Sequence, residues 1–155
     1  MEILFEQIDF HAFFPLVTAV VLGGLIGLER EIHQKPAGLR TNILICMGSA
    51  TLILIANRMS AGPDTIARMS AGIVAGIGFI GGGAVLREHA NVYGITTAAT
   101  IWVVTSIGIA CGMMLYDIAV AVTLLSLLVL TVLNPLDRRI HKTRNKAEDK
   151  HTDHD

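Results

Sequence analysis

Asp, Glu, Lys and Arg are absent from five windows of the chain, 10–28, 41–57, 69–86, 89–116 and 118–136, and crowd into the segments between them. A soluble helix would show charge on its water face every turn or so. Each window instead comes close to the roughly 20 residues that a helix needs to cross about 30 Å of hydrocarbon. The pattern predicts an all-α integral membrane bundle of five transmembrane helices, over 10–28, 41–57, 69–86, 95–115 and 118–136. The fourth window is longer than a span, and Tyr93 and Tyr116 bracket its helical part at the spacing of two membrane interfaces. Residues 1–136 form the membrane domain in this reading, and 137–155 a polar tail with the composition of a disordered segment.

The distribution of charge adds a direction. Arg30, Lys35, Arg40, Arg87 and six bases of the tail fall on one side of the bundle, against Arg58 and Arg68 on the other. This bias places the N-terminus outside and the C-terminus in the cytoplasm, which an odd number of spans allows. The first window is flanked by Glu2, Glu6 and Asp9 without any Lys or Arg, so it reads as a retained span rather than a cleaved signal peptide. A net charge of −1 without a basic patch argues against nucleic acid as a partner. Cys46 and Cys111 both fall within spans and read as buried, unpaired thiols.

Small residues dominate the spans. Gly23/Gly27, Gly72/Gly76, Gly78/Gly82 and Gly108/Gly112 share the GxxxG spacing that lets membrane helices approach closely, and Gly81 and Gly83 add to the third helix. Helix packing inside the chain, a seam between copies in a homo-oligomer, and a pore lined by exposed backbone are the three uses open to these glycines. Their density on several faces of the third helix predicts that it sits centrally. Trp102 lies near mid-depth, as a packing residue whose indole finds a partner on a neighbouring helix or as a gate. The halves also resemble each other: Gly23–Glu31 leads to Gly38–Thr41 and a second span, as Gly81–His89 leads to Gly94–Thr97 and a fourth. A parallel repeat about an axis along the membrane normal, with the fifth helix added, competes with chance similarity between glycine-rich spans.

In the repeat arrangement the two cytoplasmic turns lie side by side, which gathers Glu29, Arg30, Glu31 and Arg40 with Arg87 and Glu88. Such a cluster is either a solvated rim with snorkelling arginines or a gate and docking surface, and Thr41 or Thr96 can cap the helix that follows. Arg138, Arg139, Lys142, Arg144 and Lys146 stand just beyond the fifth span, where contact with anionic lipid is expected. His151, Asp153, His154 and Asp155 read as solvated tail, and no set of residues has the spacing of a metal site. No cofactor is expected beyond a transient contact with magnesium.

Four strings carry a family resemblance: Gly-Gly-Leu-Ile-Gly-Leu-Glu-Arg-Glu (23–31), Lys-Pro-Ala-Gly-Leu-Arg-Thr-Asn (35–42), Gly-Ile-Gly-Phe-Ile-Gly-Gly-Gly (76–83) and Gly-Ile-Thr-Thr-Ala-Ala-Thr-Ile-Trp (94–102). Together they resemble the MgtC/SapB family of bacterial inner-membrane proteins. The resemblance implies a five-helix membrane domain and a role in low-magnesium growth, acid tolerance and, in some pathogens, virulence. It also implies regulation of membrane ATPases, and motif positions at Glu29, Arg30, Glu31, Gly38, Arg40, Thr41, Asn42, Gly81, Gly83, Thr96, Thr97 and Trp102. Two departures stand out. Gly81-Gly82-Gly83 replaces the more usual Gly-Ala-Gly, and only 19 residues follow the fifth span where virulence-type members carry a soluble C-terminal domain.

Three functional classes follow in order. A non-enzymatic regulator would bind a membrane ATPase or transporter through glycine-lined helix faces. A small oligomeric transporter of magnesium, protons or another cation would use the third helix as its path; it is weakened because no acid or base lies deep in a window, where ion carriers place one. An enzyme is least supported, since no nucleophile with its base and no phosphate loop is present, and the Ser and Thr residues of the spans read as interhelical hydrogen-bond partners.

Overall fold

The computed structural model describes residues 10–59, 63–88 and 91–133. Five helices form: α1 (Phe10–Ile32), α2 (Leu39–Arg58), α3 (Pro63–Gly83), α4 (Ile95–Gly112) and α5 (Tyr116–Leu133). All five are long and apolar enough to cross a membrane. Between α3 and α4 the chain makes a short antiparallel hairpin, β1 (Leu86–Glu88) with β2 (Asn91–Tyr93), pairing Leu86 with Tyr93 and Arg87 with Val92. The hairpin accounts for the surplus length of the fourth uncharged window, which had shown only that it exceeds one span.

Local chemistry sets the ends. α1 closes with Gln34 in the left-handed region at φ 51° and a Lys35 N–H to Arg30 carbonyl bond of 2.9 Å, a C-terminal closure that uses up orphan carbonyls. Pro36 and Gly38 follow, and α2 starts one residue later. Its first N–H, at Leu39, donates to Glu31 Oε2 at 3.0 Å, so a carboxylate from the end of α1 caps the next helix and faces its positive end. Neither threonine expected as a cap serves as one, because Gly38 and Gly94 occupy the N-cap positions of α2 and α4. Gly94 has φ 87°, and a Cβ there would also collide with the Ala84 carbonyl oxygen. At the opposite end Met114 takes φ 61° and Leu115 N–H bonds the Ala110 carbonyl at 2.9 Å, while Asn57 Nδ2 donates to the Gly112 carbonyl at 3.2 Å.

The core is built on α1, α2 and α4. Ala19, Leu22 and Ile26 meet Cys46 and Ala50 of α2 and Val104, Ile107 and Cys111 of α4, with Ala119 of α5 closing one side. α4 is the central helix, with ten buried residues from Thr97 to Gly112. This corrects the placement expected for the third helix. α3 is peripheral, and only Ile77 and Gly81 are buried on it. Glycine allows close approach but does not supply a neighbour, and density on several faces cannot say which face is covered.

Candidate functional site

Hydroxyls define little of the interior. Thr18, Ser49, Thr51, Thr100, Thr105, Ser106, Thr123, Ser126 and Thr131 each donate to the carbonyl four residues earlier on their own helix, at 2.7–3.1 Å. In apolar surroundings this local bond is always within reach, whereas an interhelical one needs a facing acceptor. The expected interhelical role of these residues is therefore corrected, with one exception, Thr97.

Thr97 belongs to a buried polar cluster where α1, α2 and α4 converge. α1 continues past the uncharged window, so Glu29 and Arg30 sit in the helix rather than in a solvated loop, with 6% and 4% of their surface exposed. Arg30 Nη2 donates to Thr97 Oγ1 at 3.4 Å, and Arg30 Nη1 lies 3.8 Å from Glu29 Oε2. His33, one turn on and partly exposed, holds Nδ1 3.0 Å from Glu29 Oε1, while its hydrogen bond goes to the Glu29 backbone carbonyl at 2.9 Å. On α2, Asn42 Nδ2 bonds the carbonyls of Ala37 and, at 2.9 Å, Gly38. Both Glu29 oxygens, Arg30 Nε and Asn42 Oδ1 are buried without a hydrogen-bond partner.

An acid and a base are thus side by side in a nearly dry setting, close in charge but incompletely bonded. Removing an ion from water costs several kcal/mol after relaxation, and attraction repays it only with good geometry. At 3.8 Å, with no bidentate fork, the pair is held by its surroundings as much as by itself. The cluster ties the end of α1 to the start of α4 and leaves unused hydrogen-bonding capacity in the protein interior. Among the described residues no group of three His, Cys, Asp or Glu could hold a metal ion.

The structure separates the other expected residues. Glu31 leaves the cluster to cap α2, and Arg40, Thr41 and Thr96 are exposed. The side chains of Arg87 and Glu88 lie outside the described residues, as do Arg138, Arg139, Lys142, Arg144, Lys146 and the His151–Asp155 tail. Trp102 is 52% exposed on the outer surface of α4, which corrects the expectation that it packs inside the bundle. Cys46 and Cys111 are buried free thiols.

The glycines divide into two sets. Cβ atoms added at Gly23 or Gly27 would press on Asn42, Cys46 and Leu39 of α2, at 2.7–3.4 Å. Those added at Gly108 or Gly112 would strike the α2 backbone at Cys46 and Ala50 and the side chains of Ser49 and Ile53. These four glycines let α1 and α4 close on α2. At Gly72, Gly76, Gly78, Gly82 and Gly83 an added Cβ would meet nothing within 4 Å, and at Gly81 it would only touch Ala98 at 3.8 Å. Of the three uses open to them, packing within the chain accounts for the α1 and α4 glycines and, on α3, reaches only Gly81.

His33 was not singled out from the sequence. Its signal was there: it lies four residues after Glu29, the spacing that puts two side chains on one face of a helix.

A family model described as the MgtC family matches residues 16–139. Protein MgtC of Salmonella typhimurium (strain LT2) is 43% identical over 143 residues, covering 92% of this chain and 61% of that protein. Protein MgtC of Brucella abortus (strain 2308) is 41% identical over 126 residues, covering 81% of this chain and 52% of that protein. The chain therefore spans little more than half the length of these relatives. No solved structure matches it.

Proposed function

Because the chain belongs to the MgtC family and is a multi-pass inner-membrane protein, we propose that it acts without enzymatic chemistry in magnesium and ion homeostasis, as a regulator that docks on a membrane ATPase or transporter. One observation carries this reading. Ala71, Ala75, Gly78 and Gly82 recur at helical spacing along α3 and all four are exposed. Large apolar side chains suit contact with lipid, whereas a small-residue face suits close approach by another helix. The low-magnesium and acid-stress roles implied by the resemblance then follow from what the partner transports.

The test is co-purification from membranes with a membrane ATPase. Gly78→Leu should abolish association while the α1–α2–α4 core stays folded, and Leu125→Ala, on the exposed face of α5, should leave it intact. Undiminished association of Gly78→Leu would defeat the proposal. Gly108→Leu cannot serve here, because Gly108 faces Cys46 and Ser49 inside the bundle.

A small oligomeric ion transporter is the second reading, favoured by the buried Glu29–Arg30 pair. Ionisable residues inside a membrane bundle mark ion and proton paths, and such a residue was missing from the uncharged windows. Purified protein in liposomes should then pass magnesium, potassium or protons. Absence of any flux would remove this reading and leave the regulator.

A further inference from the structure

α2 and α3 diverge and leave a groove of about 530 Å³ between them, on a face of α3 different from the Ala71/Gly78 stripe. Leu44, Ile45, Gly48 and Leu52 form one wall, and Met69, Gly72, Ile73, Gly76 and Ile80 the other. Added Cβ atoms at Gly48, Gly72 or Gly76 would meet nothing within 4 Å, so the floor of the groove is bare backbone. From Arg68 to Ile80 the groove runs twelve residues, about 18 Å at the helical rise, which matches one leaflet of a hydrocarbon core about 30 Å thick. That length suits a single acyl tail.

Arg68 lines the groove at one end and gives it polarity. The residue lies within the α3 span, exposed, with one Nη2–H donated to Thr65 Oγ1 at 3.1 Å. Asp64, one turn back, is the acid nearest in sequence on α3, and no ion pair joins it to Arg68. A guanidinium at the end of an apolar groove attracts an anion, and its planar fork fits phosphate oxygens. We propose that the α2–α3 groove binds one phospholipid, with the phosphate on Arg68 and one acyl chain laid over Gly48, Gly72 and Gly76. A second copy of the chain fits less well. A two-fold axis along the membrane normal would bring two Arg68 side chains to the same depth, facing each other, where like charges repel. The site is independent of partner docking, because it uses a separate face of α3.

Native mass spectrometry of the full chain, released from micelles holding phosphatidylglycerol and an equal amount of phosphate-free diacylglycerol, tests the site. Wild type should retain one phosphatidylglycerol in preference to the neutral lipid. Arg68→Gln should lose that retention by about tenfold or more, the loss expected for a charge-assisted hydrogen bond. Gly76→Leu, which fills the groove but keeps the charge, should lose it too, whereas Gly78→Leu should keep it. Equal retention of the two lipids by wild type overturns the proposal without reference to any variant. So does unchanged retention by Arg68→Gln, displacement of the lipid by inorganic phosphate alone, or a two-chain mass in place of the lipid adduct.

Discussion

Alanine at Gly108 and alanine at Gly78 change the protein by the same methyl group, yet the structure predicts opposite results. At Gly108 the new Cβ would strike the Cys46 carbonyl oxygen and lie 2.8 Å from Ser49 Cβ and 3.0 Å from the Cys46 carbonyl carbon. Carbon atoms pack best at about 3.5–4.0 Å, so α4 and α2 must part by roughly 1 Å, and backbone cannot rotate aside as a side chain can. Parting the helices also loosens the neighbouring contacts of Gly112 with Ala50 and Ile53. A gap of that size forfeits a quarter to a half of each dispersion well it opens. The expected loss is about 3 kcal/mol, the upper part of the range for overpacked cores. At Gly78 nothing lies within 4 Å, so Gly78→Ala should cost nothing and can gain up to about 1 kcal/mol of helix propensity. Unfolding in mixed micelles with rising SDS, followed by far-UV circular dichroism, measures both. Equal stability of Gly108→Ala and wild type would refute the packing argument, as would a matching loss in Gly78→Ala.

Two further substitutions probe the ends of the helices. Glu29→Gln leaves Arg30 buried without its neighbouring charge and should destabilise the bundle by about 3–5 kcal/mol, with partial recovery in the Glu29→Gln/Arg30→Met double variant. Additive losses in the same SDS titration would show that the two side chains do not act as a pair. Gly94→Ala forces a side chain into the left-handed region against the Ala84 carbonyl and should cost at least about 1–2 kcal/mol. The strain should appear as faster amide exchange across 95–98, and unchanged exchange there would count against the turn geometry.

The number and order of spans were legible because exclusion of charge from lipid leaves a coarse, one-dimensional mark. The ends were less so. α1 runs on to Ile32 through Glu29 and Arg30, because a charge can stay helical wherever a neighbouring helix shelters it, and no count along one chain reveals that shelter. α3 starts at Pro63, six residues before its window, since proline suits a first helical position and Asp64 the positive end of a helix. The charged cluster was legible in part: Glu29 and Arg30 lie together, but Arg30 reaches Thr97, Glu31 had a local donor at Leu39 and went to it, and Arg40 is exposed. Central placement of α3 was misread because glycine marks a close approach and an empty face alike. Gly108 and Gly78 differ only in what α2 brings to them from elsewhere in the chain.

That difference bears on function through the contrast between α3 and α5, the two least covered helices. α5 presents Leu124, Leu125, Leu128 and Val132 outward, bulky side chains that lipid tails contact fully. α3 presents Ala71, Ala75, Gly78 and Gly82 on one face and the bare floor of the α2 groove on another. A buried leucine makes some 40–60 heavy-atom contacts of about 0.1–0.2 kcal/mol each, and glycine forgoes nearly all of those on its own account. What glycine offers is access, because a partner backbone or an acyl chain can reach a surface that side chains would otherwise hold off. The isolated chain uses this access at Gly23, Gly27, Gly108 and Gly112, and leaves it open at Gly48 and at every α3 glycine but Gly81. On the proposed docking and lipid sites, the stability of the fold and binding therefore rest on different glycines, and substitutions should remove one without the other.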